Sequence, residues 1–300
     1  MSEKLNFAEE LSGVWTALVT PIKGKSINTV TLDGLIEQSV SAGVKGLIVL
    51  GTTGESPTVT DEEREKVIAR AVATSRKRIP IFVGAGSNDT RHALHQIRQA
   101  ERLGAGGLLI VTPYYNKPTE AGLRRYFLDL ANHSSLPIIL YHIPGRCAVG
   151  ISIPLALELS RHQRIVGLKD AGGDVARVSE LARLAPPDFA ILAGDDALAL
   201  PMMAVGATGV VSVLSNIVPA LMVEMVNSAN TGKYARALEL HRKLAPLCQA
   251  LFLETSPSPI KEALRIAGVD AGKVRSPLVP VSSATRKALR NSLRDLGILA

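Results

Sequence analysis

PIILYHIPGRCAVGISIPLALELSRHQRIVGLKDA, residues 137–171, contains an apolar run (137–144), a helix-like stretch (153–162) and a second apolar run (165–171). Both runs are nearly continuous rather than alternating, the pattern of parallel strands covered on both faces. The unit repeats outward in both directions. VWTALVT (14–20), GLIVLG (46–51), IFVGAG (81–86) and GLLIVTP (107–113) precede it, and FAILAGD (189–195) and GVVSV (209–213) follow. The mean spacing is ~28 residues, about one strand–helix unit each. Helix-like stretches fall between the strands at 91–104, 120–134 and 175–184. Another, 63–77, opens from the capping box Thr60–Glu63. Eight strands in this alternation predict an α/β fold, a (β/α)8 TIM barrel. A doubly wound sheet is the alternative, but Gly84-Ala85-Gly86 lacks the third glycine of a dinucleotide fingerprint. About 80 residues follow the last strand, more than one helix needs. They predict a C-terminal helical extension, which divides the chain into a barrel (1–222) and a helical module packed on it (223–300).

Composition narrows the function. Of 300 residues, 46% are hydrophobic and 20% charged, which excludes a disordered chain. Two isolated cysteines, Cys147 and Cys248, exclude a disulfide scaffold or CxxC zinc site and suit a reducing compartment. The net charge of +7 favours anionic partners. Its basic clusters lack interleaved aromatics, and aromatics are only 4%, so no nucleic-acid surface is expected. MSEKLNFAEEL has no signal-peptide pattern. Residues 197–223 carry no charge over a membrane-spanning length, yet Pro201, Gly206, Gly209 and Pro219 break them into a helix, a turn, a buried strand and a loop. No membrane association is expected, and the protein is read as cytoplasmic.

The unusual residues follow the strands. They are Gly51-Thr52-Thr53-Gly54-Glu55-Ser56, Thr112-Pro113-Tyr114-Tyr115-Asn116, Tyr141 through Arg146, Lys169-Asp170-Ala171 and Gly194-Asp195-Asp196. In a barrel all face one mouth, where active sites are built. Lys169 closes an apolar strand, where a charge is costly unless paired. It either reaches the rim or pairs with Asp170, or it is an amine that forms a Schiff base with a carbonyl substrate. Tyr141, one strand away, is a core tyrosine or a proton relay. Thr52 and Thr53 form a turn or hold a small carboxylate. Arg146 is an exposed loop arginine or a fork for a second carboxylate. His92 and His95 lack a third metal ligand. Asp195-Asp196 read as turn and helix-start residues rather than a Mg2+ site. Cys147 has no paired base.

GTTGES, TPYYNKP, YHIPGR, GLKDA, AGDD, GVVSV and LFLETSPSPIKEAL together resemble the dihydrodipicolinate synthase / N-acetylneuraminate lyase family of pyruvate-dependent Schiff-base aldolases, over almost the whole chain. The double threonine, the Tyr114-Tyr115 pair and Arg146 place it nearest the synthase branch. The resemblance implies a lyase that condenses pyruvate with aspartate semialdehyde, for lysine and diaminopimelate biosynthesis. Lys169 then forms the Schiff base. Tyr141 shuttles protons, linked through Thr53 to Tyr115 of a neighbouring subunit. Thr52 and Thr53 hold the pyruvate carboxylate, Gly194 and Val211 line its pocket, and Arg146 binds the aldehyde acid. No metal or organic cofactor is implied. The implied assembly is a homo-oligomer, at least a dimer and usually a tetramer built as a dimer of dimers.

The chain departs from many synthases at His142, Cys147 and Asp170, where Asn, Thr and Glu are common. Lysine-inhibited members carry an acidic residue at the position of His92, and often histidines at those of Asp61 and Arg64; Asn88 and Tyr114 are retained. Lysine inhibition is therefore expected to be weak or absent. The competing readings are a related lyase or dehydratase for a sugar acid or hydroxy-keto acid, and a non-catalytic small-acid sensor. Arg146 and the double threonine Thr52-Thr53 argue against the first, and the intact Lys169, Tyr141, Thr53 and Tyr115 against the second.

Overall fold

A computed structural model describes residues 7–299; the first six residues of MSEKLNFAEEL, and Ala300, lie outside the described residues. Eight parallel strands close into a barrel: β1 (Gly13–Ala17), β2 (Gly46–Val49), β3 (Ile81–Gly84), β4 (Gly107–Val111), β5 (Ile138–His142), β6 (Ile165–Asp170), β7 (Ala190–Ala193) and β8 (Gly209–Ser212). Each pairs with its neighbours in sequence, and β8 closes on β1 with Trp15 opposite Val211. The expected strands are all present, with shorter bounds, because the polar ends of the sequence runs continue as loops.

Eight helices cover the barrel: α1 (Thr29–Ser41), α2 (Asp61–Ser75), α3 (Thr90–Arg102), α4 (Glu120–Asn132), α5 (Ile153–Leu159), α6 (Val175–Leu184), α7 (Ala199–Ala204) and α8 (Pro219–Asn230). The expected capping box opens α2: Thr60 Oγ1 accepts the Glu63 N–H and Glu63 Oε2 accepts the Thr60 N–H, at 3.3 and 3.1 Å. The sequence reading has no helix at α1. TVTLDGLIEQSVS is rich in β-branched residues and holds Gly34, and packing of Leu32, Leu35 and Ile36 overrides that poor propensity. The uncharged stretch 197–223 becomes α7, a turn, β8 and the start of α8, and no helix among the described residues is long and apolar enough to cross a membrane.

Three further helices follow the barrel, α9 (Tyr234–Ala250), α10 (Ser258–Ile266) and α11 (Ser283–Asp295), and single helical turns stand at Phe7–Glu10 and Pro144–Cys147. The expected division at 222/223 falls inside α8, which is the barrel's own eighth helix and packs on β1. The helical extension therefore begins after α8.

The strands separate two cores. Alternate residues face inward, where Trp15, Ile48, Phe82, Leu109, Ile139, Val166, Leu192 and Val211 fill the barrel. Trp15 anchors this core; its ring lies 4.8 Å from that of Phe82, edge to face, and Nε1 donates to the Leu11 carbonyl at 2.9 Å. Outward residues join one continuous core with the helices, α9–α11 included.

Candidate active site

The strand register decides which polar residues meet. Tyr141 in β5 lies opposite Lys169 in β6, and His142 opposite Asp170. Because side chains alternate, the first pair faces the barrel interior and the second the helices. Tyr141 belongs to the inner core. Lys169 is 5% exposed, and its Nζ lies 4.1 Å from the centre of the Tyr141 ring. It neither reaches the rim nor pairs with Asp170, and no carboxylate among the described residues forms a salt bridge with it. A buried amine held by a ring face rather than an acid keeps its nitrogen free for chemistry.

Tyr141 borders a cavity of about 600 Å3, whereas Lys169, Thr53, Gly194 and Val211 lie behind its lining. Thr52, Tyr141 and Arg146 line it together with Tyr114. Thr53 is buried just behind Thr52 in sequence. Two left-handed residues, Leu50 (φ 56°) and Glu55 (φ 55°), bracket their turn. Such a backbone costs about 1–2 kcal/mol per non-glycine residue and persists only where the surroundings enforce it. Gly194 donates its N–H to the Asp170 carbonyl at 2.6 Å. A Cβ there would sit 2.7 Å from Ala171 Cβ, so only glycine lets β7 approach β6 this closely. Val211 is buried in the inner wall. Arg146 is exposed at the lip, in a helical turn (Pro144–Cys147), and Nη2 donates to the Ser256 carbonyl at 3.3 Å. Tyr115 stands apart: it is 90% exposed, has φ 72° and does not line the cavity.

Of the three residues noted as departures, His142 and Asp170 lie side by side outside the barrel wall, whereas Cys147 lines the cavity. Asp170 is fully buried; Oδ1 accepts the Gly172 N–H and Oδ2 accepts Arg177 Nε, both at 2.9 Å. His142 Nδ1 accepts the Ile151 N–H at 2.9 Å, which places the ring proton on Nε2. Burial lowers the His142 pKa below its ordinary value against the pull of Asp170, and Arg177 lowers it further. Burial pushes the Cys147 thiol up, which disfavours the thiolate.

One branch of the cavity runs to His92, Asp61 and Arg64. Arg64 is 1% exposed and donates to Gln99 Oε1, Ser56 Oγ and the Gly84 carbonyl at 3.2, 3.1 and 2.9 Å. Burial pulls its pKa down to about 10. His92 Nε2 bonds Gln96 at 2.8 Å, and His95 pairs with Asp61 at 3.3 Å. Asn88 accepts from the Asn116 side chain at 2.9 Å. Asp195 does begin a helical turn, accepting the Ala197 N–H at 2.9 Å. Asp196 is the first residue of that turn, as expected, and its side chain also turns inward: buried Oδ2 accepts the N–H groups of Val213 and Leu214, both at 2.9 Å, tying the end of β7 to that of β8.

The sequence reading missed the C-terminal share of this mouth. Ser256, Pro257, Pro277 and Leu278 line the cavity. The readable signal was Lys261, a lysine on the buried face of α10 beside Leu264.

The family model described as the dihydrodipicolinate synthetase family matches residues 10–296. The chain belongs to that family. A 4-hydroxy-tetrahydrodipicolinate synthase of Kosmotoga olearia is 42% identical over 290 residues, covering 96% of this chain and 99% of its own. The crystal structure of dihydrodipicolinate synthase from Thermotoga maritima superposes with a TM-score of 0.94 at 41% identity, covering 96% of this chain and 99% of that one. A dihydrodipicolinate synthase variant described as monomeric gives a TM-score of 0.95 at 40% identity, covering 98% of this chain and 99% of that one.

Proposed function

We propose that this chain is a lyase that condenses pyruvate with L-aspartate 4-semialdehyde to give 4-hydroxy-tetrahydrodipicolinate, through a Schiff base on Lys169. The observation that carries the reading is buried Lys169, without a salt-bridge partner among the described residues, held 4.1 Å over the ring of Tyr141, which lines a cavity with Thr52 and Arg146. Lys169 Nζ adds to the pyruvate ketone, and loss of water leaves an iminium that drains electrons from the methyl group. Tyr141 moves the protons of these steps, linked through Thr53 to Tyr115 of a second subunit. Thr52 and Thr53 hold the pyruvate carboxylate, and Gly194 and Val211 close the pocket with backbone groups. The enamine carbon then attacks the aldehyde, whose acid group Arg146 binds as a fork. The amine of the second substrate displaces Lys169 as the ring closes. The iminium is the electron sink, so the chemistry uses no metal or organic cofactor.

The exposed ring of Tyr115 supports self-association as a tetramer built from dimers, in which this residue completes the neighbour's site. The setting is cytoplasmic biosynthesis of lysine and diaminopimelate. In the cavity branch Asp61 pairs with His95, and His92 supplies an imidazole where a carboxylate would hold an ammonium group, so lysine inhibits weakly or not at all. An inhibition constant in the tens of micromolar would refute that. The decisive experiment is steady-state turnover with pyruvate and aspartate semialdehyde, paired with borohydride trapping and a Lys169→Ala control. Turnover lost in the variant sustains the reading. A trapped adduct without turnover replaces the second substrate with a sugar acid or hydroxy-keto acid.

A further inference from the structure

The C-terminal helices reach back to the loop after β2 through a buried ion pair. Lys261 in α10 and Glu55 are 2% and 3% exposed, and Lys261 Nζ lies 2.5 Å from Glu55 Oε1. Glu55 Oε2 accepts the Arg275 backbone N–H at 2.9 Å, and Lys261 Nζ also donates to the Lys273 carbonyl at 3.3 Å. The Arg275 guanidinium continues the seam, donating to the Thr58 carbonyl at 2.7 Å and to both carboxylate oxygens of Glu63 at 2.6 Å. Residues 55–63 are therefore tied at three points to residues 261–275.

A buried ion pair is weak evidence for stability, because desolvation of both charges offsets their attraction. What it does supply is position, since neither charge tolerates being moved off its partner. Glu55 is where that position matters. Its left-handed backbone (φ 55°) ends the turn that begins at Gly51, and its N–H donates to the Thr52 carbonyl at 3.2 Å. The turn is pinned on its other side by Thr20 Oγ1, which donates to the Gly54 carbonyl at 2.7 Å. Thr52 lines the cavity, so a shift of the Glu55 carboxylate passes through one peptide turn to the cavity wall.

We propose that Glu55 and Lys261 are positioning residues that set the placement of Thr52 and Thr53, and through them the affinity for pyruvate. The inference rests on the pyruvate reading above. Its test compares Glu55→Gln, Lys261→Met and the double variant in Tm, kcat and the separate KM values for pyruvate and the aldehyde. Each single variant strands one buried charge, so Tm falls and pyruvate KM rises. The double variant strands none, so Tm recovers, yet the tether is gone and pyruvate KM stays raised by about 10-fold, more than kcat falls and with the aldehyde KM nearly unchanged. Recovery of both Tm and pyruvate KM would reduce the pair to a structural role and overturn the proposal, as would an equal rise in both KM values. Glu55→Asp keeps both charges and withdraws the carboxylate by one methylene. It serves where the others do not fold: a raised pyruvate KM supports the proposal, and an unchanged one overturns it. Failure of the wild-type protein to form a trapped pyruvate adduct would instead sink the functional reading itself.

Discussion

Two lysines of this chain are almost equally buried, and their surroundings give them opposite properties. Lys169, inside the barrel, is 5% exposed, has the Tyr141 ring face 4.1 Å from its Nζ and, among the described residues, forms no salt bridge. Lys261, at the seam between the helical extension and the β2 loop, is 2% exposed and has a carboxylate at 2.5 Å. The carboxylate ties the Lys261 nitrogen to one partner, whereas no salt bridge among the described residues holds the Lys169 nitrogen away from a substrate. Burial alone thus does not separate the two lysines; the presence or absence of a counter-ion does. The barrel enforces this, because the register sends Asp170, the neighbour of Lys169 in sequence, to the far side of the wall, where Arg177 and Gly172 occupy it.

The comparison breaks first at Lys169. Lys169→Ala should lower turnover by ~10^4-fold or more and abolish borohydride trapping with pyruvate, while circular dichroism stays native. Lys261→Met should do the reverse in kind, leaving trapping chemistry in place but lowering stability by about 3–5 kcal/mol in chemical denaturation, because Glu55 is left buried and unpaired. Tyr141→Phe keeps the ring against Lys169 and removes its hydroxyl. It should cost about 10^2-fold in kcat with little change in Tm, which separates proton transfer from packing.

The outer face of the same strands gives a smaller, pH-dependent effect. The fold holds the His142 pKa below the value of 6.5 it has when unfolded, chiefly through burial. The unfolded chain then binds more protons, so the contribution of His142 to stability is full above pH 6.5 and is lost as pH falls toward the depressed folded value. Protonation of Nδ1 would also set a donor against the Ile151 N–H. The Tm of the wild type should fall more steeply than that of His142→Asn between pH 7 and pH 5; parallel curves would remove His142 from this account. At the exposed pair Arg183–Glu180, Arg183→Ala should leave Tm unmoved, the control for what an ion pair does in water.

Much of the candidate site was legible because barrel chemistry collects at strand ends, and five of the eight strand ends here carry a polar signature of their own. Lys169, Tyr141, Thr52 and Arg146 were readable as a set for that reason, and the inward pairing of the first two follows from one register. Asp196 was legible as a helix-start residue but not as a tie to β8, because the N–H groups that its carboxylate accepts come from 17 and 18 positions away. Helix α1 was invisible because its β-branched sequence argues against it, and the 222/223 boundary fell inside α8 because the break at Pro219 reads as part of a loop. Glu55 was unreadable as one half of an ion pair, since the Arg275 N–H that also holds it comes from 220 positions away.

By itself, the sequence determined the strand count, the alternation with helices and the face of the barrel on which chemistry gathers, because these follow from local periodicity and turn residues acting over one unit at a time. Only the tertiary structure decided which buried charges have partners. That depends on strand register and on helices folding back across the mouth, contacts whose energies are set by low-dielectric burial between residues the chain keeps far apart.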